Sequence, residues 1–406
     1  MRLLSVGYKE SIAEFANEDL EIVFLIDTFE SIDTIPNKKN FEKRVFISNN
    51  TDDFFAYSTL LRSDIKEVDG VIASDEFTTF NAYALSVFYG VSLISASTAV
   101  KFRDKYLQKE TLRRAKVPVT NFYMENQLSE ELFNSNKKFI VKPNSGTGTE
   151  LTQLVSNTKE TKEAVRLIQK EGTEYNAVLI EEFVDGSEYF VDGWIRNGKI
   201  YALSLSKYHM GPLFKSLGER SVGITLPVED YKEEYQEITY LATKSLTALG
   251  YTYGIFHMEF FQEKETKKWI FNEVGARLGG SSQDKLFEYY FGENLYKKQI
   301  EIACQQRTQD TIENLTVLHP TGKYVGVLLI QAPRDVPKFL PNVGDFSNEN
   351  VIDIRYDWRF GQELPSMEKG YDRKFGRLMV SGDSFMAVDQ ELFIVENEFN
   401  KLIREE

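Results

Sequence analysis

The sequence is poor in the residues that staple or metallate small domains. Cys304 is its single cysteine and His209, His257 and His319 are its only histidines. A disulfide framework within the chain is therefore excluded, Cys/His zinc spacing is absent, and a reducing compartment is the simpler expectation. Long apolar runs are also missing: nowhere do about 18 consecutive apolar residues occur, so no membrane span is expected. The N-terminal MRLLSVGYKESIAEF is interrupted by a glycine and charges, and reads as a first strand rather than a signal peptide. A cytoplasmic protein is expected. There is no surplus of positive charge either. Lys plus Arg is 48 against 62 Asp plus Glu, a net charge of -14, and no local basic patch offsets it. Nucleic acid and anionic membrane are thus disfavoured as partners.

What is present is an ordinary globular composition, 42% apolar and 13% aromatic over 406 residues, enough for two or three packed domains. In the first hundred residues, apolar runs alternate with amphipathic ones: RLLSVG, EIVFLID, RVFIS, DGVIASD and VSLIS. That rhythm predicts a parallel α/β sheet of five strands. Phe80, Ala84, Leu85 and Phe88 recur at helical spacing before the stop signal of Gly90. The first strand leads into SVGYKES, so the GxGxxG dinucleotide fingerprint is missing. From Lys101 a charged helix, KFRDKYLQKETLRRAK, should stop before Pro118 and open a new domain.

Beyond it the pattern becomes α+β and mostly antiparallel. KKFIVKP and ELTQLVS read as strands around the turn NSGTGT, and a helix follows with Asn157 and Glu160 in capping positions. Further strands turn at RNGK, a long helix closes at Gly250, and GIFHMEFFQ and KWIFNEVG form a hairpin. The stretch from GKYVGVLLIQAP to the helix QELFIVENEFNKLI reads as a trailing subdomain. The expected domains are 1–100, 101–310 with a lid lobe at about 117–187, and 311–406.

Chemistry enters at VKPNSGTGTE. A GxxxxGK[ST] phosphate loop carries its lysine after the glycines at a helix start, whereas Lys142 precedes them on a strand. Gly146 and Gly148 would let backbone amides approach a polyphosphate, Ser145, Thr147 and Thr149 add hydroxyls, and Lys142 supplies a point charge. Taken alone, the segment is equally a flexible hairpin turn with a solvated lysine. Glu259 and Glu273 lie inside apolar runs on strands expected to be neighbours, where two carboxylates beside a polyphosphate suit Mg²⁺. Arg277 follows, placed to stabilise a transferring phosphoryl group. In VLIEEFVDGSE, the stretch Glu181, Glu182, Phe183 and Val184 offers donors and acceptors to an adenine edge, with Glu188 for ribose hydroxyls.

The order of these motifs resembles the ATP-grasp superfamily, and within it the carboxylate–amine ligases and the biotin carboxylase-like branch. The resemblance spans about residues 65 to 380, opening with DGVIASDEFTTFNAYALSVFYGVS and RDKYLQKETLRRAKVPV. It implies an N-terminal parallel α/β pre-grasp domain, a lid lobe and a C-terminal α+β lobe. It further implies that Lys105 and Lys142 contact ATP, that Ser145 to Thr149 close over the phosphates, and that Glu181, Phe183 and Val184 line the adenine pocket with Glu188 on the ribose. Glu259 and Glu273 would hold Mg²⁺ and Arg277 would face an acyl phosphate. Many relatives carry Asn two positions after the second glutamate as a further metal ligand, where this chain has Gly275. EVGARLGG resembles the amino acid ligase side of the superfamily, and Gly279 and Gly280 would admit a substrate carboxylate to the backbone.

The implied activity is amide-bond formation: a carboxylate attacks the γ-phosphate of ATP, and an amine then displaces phosphate from the acyl phosphate. Substrates are small carboxylates and amines, free or carrier-bound, with a homodimer common among relatives. Two alternatives stand beside it, a bicarbonate-activating enzyme and a non-catalytic nucleotide-binding module. His257, two residues before Glu259, shares its strand face and is a candidate to touch phosphate or amine. Lys207, His209, Arg220 and Glu76 are further substrate-side candidates.

Overall fold

The computed structural model describes residues 1–27, 45–48, 65–127, 137–171, 177–209, 222–280, 283–304, 323–364 and 375–404. At the N-terminus come β1 (Arg2–Val6), α1 (Glu10–Ala13), β2 (Glu21–Asp27), β3 (Val45–Ser48) and β4 (Gly70–Ala73). They give a parallel sheet in the order β3-β2-β1-β4. The α/β reading therefore holds, with four of the five expected runs forming strands among the described residues. VSLIS forms no strand. Gly90 at φ +69° ends one helix and Ser95 accepts from Thr98 N at 3.1 Å to start the next, so the short run between them is spent as a connector.

The helix after β4, α2 (Thr79–Phe88), turns a different face inward from the one its apolar spacing predicts. Thr79, Asn81, Ala82, Leu85 and Ser86 are buried, while Phe80 and Phe88 are 47% and 51% exposed. Asp75 sets this rotation: its carboxylate accepts from Thr78 N at 2.9 Å and its carbonyl from Thr79 Oγ1 at 3.1 Å. The small residues then lie against the sheet. The charged stretch from Lys101 is not one continuous helix: α3 (Ala96–Lys101) ends at its first residue and α4 (Lys105–Arg114) starts four residues on. Asp104 breaks it by capping Leu107 N at 2.8 Å.

Next, β5 (Phe122–Met124), β6 (Phe139–Pro143), β7 (Gln153–Val155), α5 (Thr158–Glu171) and β8 (Val178–Glu182) make an antiparallel sheet, order β5-β8-β6-β7. It has its own core, in which Phe139, Val141 and Ile180 pack on Val165 and Ile168 of the helix. Asn157 caps α5 by accepting from Glu160 N at 2.9 Å, while Glu160 reaches back to Ser156 N at 2.7 Å.

The remainder is β9 (Gly186–Arg196), β10 (Lys199–Tyr208), β11 (Val222–Leu226), α6 (Lys232–Leu249), β12 (Gly254–Glu263) and β13 (Trp269–Gly275). After them come α7 (Gln283–Phe291), α8 (Leu295–Cys304), β14 (Tyr324–Ile330), β15 (Val351–Tyr356), β16 (Gly376–Gly382) and α9 (Phe385–Leu402). The strands form one antiparallel sheet, β13-β12-β9-β10-β11-β14-β16-β15, so the trailing segment extends the sheet that carries Glu259 and Glu273. β9 and β10 join through Asn197 and Gly198 at φ +50° and +74°, the twist an Asn-Gly hairpin supplies. Gly250 at φ +80° ends α6. Buried Phe256, Phe260, Phe271 and Phe375 anchor the main core, each worth about 1.5–3 kcal/mol of transfer free energy. Among the described residues no helix is long and apolar enough to cross a membrane.

Candidate active site

The site begins with a strand pair and a flaw in its register. Glu259 on β12 stands directly opposite Glu273 on β13, as the hairpin pattern predicts. One residue further the ladder shifts, Phe260 pairing with Phe271, so Asn272 is the extra residue of a bulge. Strict alternation would send Asn272 to the other face. Instead its Nδ2 donates to Glu259 Oε2 at 3.1 Å and to Glu188 Oε1 at 3.5 Å, and its Oδ1 accepts from Lys142 Nζ at 3.3 Å. Sequence reasoning missed Asn272 because a bulge leaves no mark on the hydrophobic pattern.

Glu188 comes from β9, beside Phe261 of β12. Burial, then the charges of Glu259 and Glu273, push its carboxyl well above the usual carboxylate range. Burial acts on Glu273 in the same direction, but Lys105, Lys142 and Arg277 outweigh it and bring that carboxyl to about 2.

Helix α4 is clamped to β13 by Gln108, whose Nε2 donates to Val274 O at 2.7 Å and whose Oε1 accepts from Val274 N at 3.1 Å. That docking delivers two lysines one turn apart. Lys105 Nζ lies 3.4 Å from Glu273 Oε2 and donates to Gly146 O at 2.5 Å, tying the glycine turn to the helix. Lys109, absent from the sequence reading, is fully buried, with Nζ 3.2 Å from Glu181 Oε1; Lys142 Nζ reaches the same oxygen at 3.3 Å. Burial lowers Lys109 to about 8 despite Glu181. Lys142 is buried as well, yet Glu181 and Glu273 raise it. The Glu181 carboxylate is thus the counter-ion of two ammonium groups. A lysine at i+4 from Lys105 was the available signal.

Arg277 extends from the end of β13. Its Nε donates to Glu76 Oε2 at 2.5 Å and its Nη1 to Leu278 O at 2.9 Å. Glu76, on the loop after β4, also pairs with Arg103 Nη1 at 3.0 Å. A Cβ placed on Gly275 would lie 2.9 Å from Glu76 Oε2. The space a side chain at this position would need is occupied by the Glu76 carboxylate from the loop after β4.

His257 lies behind Glu259. Its Nδ1 is 3.0 Å from Asp192 Oδ1 and its Nε2 is 3.5 Å from Glu259 Oε1. Burial disfavours the charged ring, but Asp192 and Glu259 outweigh that and raise its pKa to about 10. A shift in that direction favours the imidazolium at neutral pH, a fixed charge rather than a proton acceptor. Asp192 was not foreseen.

Most of these side chains, though not Arg103, Gln108, Lys109 or Asp192, face one cavity of about 330 Å³, within the range of small-molecule pockets, roughly 300–1,000 Å³. It is lined by Lys105, Lys142, Gly146, Thr147, Gly148, Thr149, Glu181, Glu182, Phe183, Val184, Glu188, His257, Glu259, Glu273, Arg277, Gly280 and Glu76 from the sequence reading. Lys9, Asp75, Phe77, Tyr208 and Asn272 join them without having been singled out.

Other candidates lie elsewhere. Ser145 is not among the residues that line the cavity, and its carbonyl accepts from Arg103 Nη2 at 2.8 Å. Lys207 sits over the Tyr189 and Phe385 rings, 5.5 Å from each centroid, and so packs on the sheet away from the cleft. His209 Nδ1 pairs with Asp389 at 2.9 Å. Gly279 has no amide left to offer a substrate: its N–H donates to Asp192 Oδ1 at 3.2 Å, and a Cβ there would meet His257 Nδ1 at 2.5 Å. Arg220 lies outside the described residues.

Residues 102–281 match the protein-family model of an ATP-grasp domain. No curated protein matches the chain. Among solved structures it is similar to L-amino acid ligase from Bacillus licheniformis, with a TM-score of 0.78 and 18% identity over 98% of this chain and 97% of that one. It is also similar to N5-carboxyaminoimidazole synthase from Aspergillus clavatus, TM-score 0.69, 13% identity, over 98% and 99%. Biotin carboxylase from Campylobacter jejuni gives a TM-score of 0.68 and 13% identity over 97% and 90%. At these identities the likeness establishes a shared fold, the ATP-grasp fold with its N-terminal parallel sheet and its antiparallel sheets.

Proposed function

We propose that this chain, with its ATP-grasp domain at residues 102–281, is an ATP-dependent, ADP-forming ligase that joins a carboxylate to an amine through an acyl phosphate, with an amino acid as substrate. One observation carries the reading: Lys105, Lys142, Arg277, Glu259 and Glu273 line a single cavity together with the Gly146–Thr149 turn. Phosphoryl transfer asks for positioning and charge neutralisation rather than a protein nucleophile, and that is what these groups supply. The likeness along the whole chain to a protein named L-amino acid ligase supports the choice of an amino acid.

Lys105 and Lys142 hold phosphate oxygens. The main-chain amides of the Gly146–Thr149 turn close over them and keep water from the acyl phosphate. Arg277 faces the group in transfer. Phe183 and Val184, past the end of β8, flank the base. Among the described residues no set of three or more His, Cys, Asp or Glu side chains is arranged to hold a metal ion unaided. Mg²⁺ fits nonetheless, because it is bound through one or two carboxylates with phosphate and water completing its shell. The crowding that drives Glu188 upward marks surplus negative charge at this point. Glu259 and Glu273 would hold the ion, which would neutralise phosphate oxygens during transfer.

The test is ADP release from ATP with a panel of amino acids, singly and in pairs, and with bicarbonate. A carboxylate–amine ligase responds to particular pairs. Response to bicarbonate alone would favour the bicarbonate-activating alternative, and ATP binding without any response would favour a non-catalytic module.

A further inference from the structure

The groove between the N-terminal domain and the large sheet holds a charge arrangement that nucleotide binding does not explain. Glu76 and Arg277 are 201 positions apart and meet at 2.5 Å. Glu76 is 9% exposed, and Arg103 approaches its other oxygen at 3.0 Å. Burial raises the Glu76 carboxyl, but Arg277 and Arg103 outweigh it and hold it low. One carboxylate thus sits between two guanidinium groups, and Glu273 and Glu259 act on Arg277 as well.

The contact is built deliberately from both sides. Asp75 fixes the turn that presents Glu76, through its bond from Thr78 N at 2.9 Å. On the facing strand, Gly275 leaves open the volume the Glu76 carboxylate fills, since a Cβ would come within 2.9 Å of Oε2. Arg277 has Nε on Glu76 and Nη1 on the Leu278 carbonyl, so Nη2 is the donor left for the cavity it lines.

We propose that Glu76 is a positioning residue supplied by the N-terminal domain: it holds Arg277 by Nε so that Nη2 meets the phosphoryl group in transfer, and Gly275 makes room for it. This rests on the ligase reading for the identity of the phosphoryl group. Productive geometry thereby requires the N-terminal domain in place, because half of the orienting contact belongs to it.

The test compares two affinities in the full-length chain by calorimetry, MgADP alone and MgADP with aluminium fluoride, which mimics the phosphoryl group in transfer. Glu76→Gln should leave the affinity for MgADP alone unchanged and weaken the fluoride complex roughly tenfold, the scale of a misaligned donor. Arg277→Lys should weaken it similarly, and the double variant should lose no more than the worse single one. Gly275→Ala keeps both charges but displaces the carboxylate, and should reproduce the loss even where Glu76→Gln folds poorly. A merely structural role would lower thermal stability and leave the ratio of the two affinities intact. An unchanged ratio in both Glu76→Gln and Gly275→Ala overturns the proposal, as does full additivity with Arg277→Lys. Failure of wild-type protein to bind MgADP at all would overturn the ligase reading and this proposal together.

Discussion

Asn272 Nδ2 meets Glu259 Oε2 at 3.1 Å from a bulge position that has no partner on the facing strand. The same side chain accepts from Lys142 at 3.3 Å, so one amide bridges the acidic and basic halves of the site. Asn272→Leu should leave the fold standing and an ammonium and a carboxylate without their shared partner. Turnover should fall by about one to two orders of magnitude, as misplaced charged groups do. Steady-state ADP release beside a thermal melt checks this, and unchanged turnover would remove Asn272 from the machinery.

Glu181→Ala acts on stability. It strips the counter-ion from Lys109 and Lys142, which are 0% and 8% exposed. Breaking a buried pair by removing one partner costs about 3–5 kcal/mol. Denaturant unfolding should show a loss of that size, whereas Glu182→Ala, whose partner Lys137 is half exposed, should show little.

For His257 the expectation concerns pH. Its folded pKa of about 10 lies above the ordinary 6.5, held there by Asp192 and Glu259 against burial. The stabilisation from its charge is therefore complete below about pH 6.5 and is lost as pH rises toward about 10. The stability gap between wild type and His257→Asn should narrow across that window. Imidazole ¹⁵N shifts at about pH 8 should show both ring nitrogens protonated; a neutral ring there contradicts the assignment.

Glu273→Gln removes one of the two facing carboxylates while keeping the side-chain shape. If Glu259 and Glu273 share a magnesium ion, ADP formation should drop by at least about a hundredfold. Raising the magnesium concentration should recover part of it. Wild-type activity in the variant would show that the metal is held elsewhere.

Much of this architecture was legible because local signals agreed with one another. Apolar runs located the parallel strands, Asn197-Gly198 located a hairpin, Gly250 a helix end, and the flanking glutamates a strand pair in register. What escaped was set by contacts distant in sequence or by single-residue irregularities. The bulge at Asn272 breaks the period-two rule that strand reading relies on. Asp192 and Lys109 look like ordinary strand and helix residues until Gly279 and Glu181 are brought beside them. Phe80 and Phe88 misled because an Asp75 turn, not apolar spacing, fixes the roll of their helix. Lys207, on the strand that brings Tyr208 to the cleft, and His209, just past its end, instead meet Phe385 and Asp389, a partnership only the docked C-terminal helix reveals.

The central claim is that a carboxylate is activated as an acyl phosphate, and oxygen transfer tests it most directly. With the amino acid pair that most stimulates ADP release, the activated substrate is labelled with ¹⁸O in its carboxylate and the released phosphate is analysed by mass spectrometry. One labelled oxygen should appear in phosphate for each amide formed, because the carboxylate oxygen that attacks phosphorus leaves with it. Unlabelled phosphate released alongside amide product would contradict an acyl phosphate.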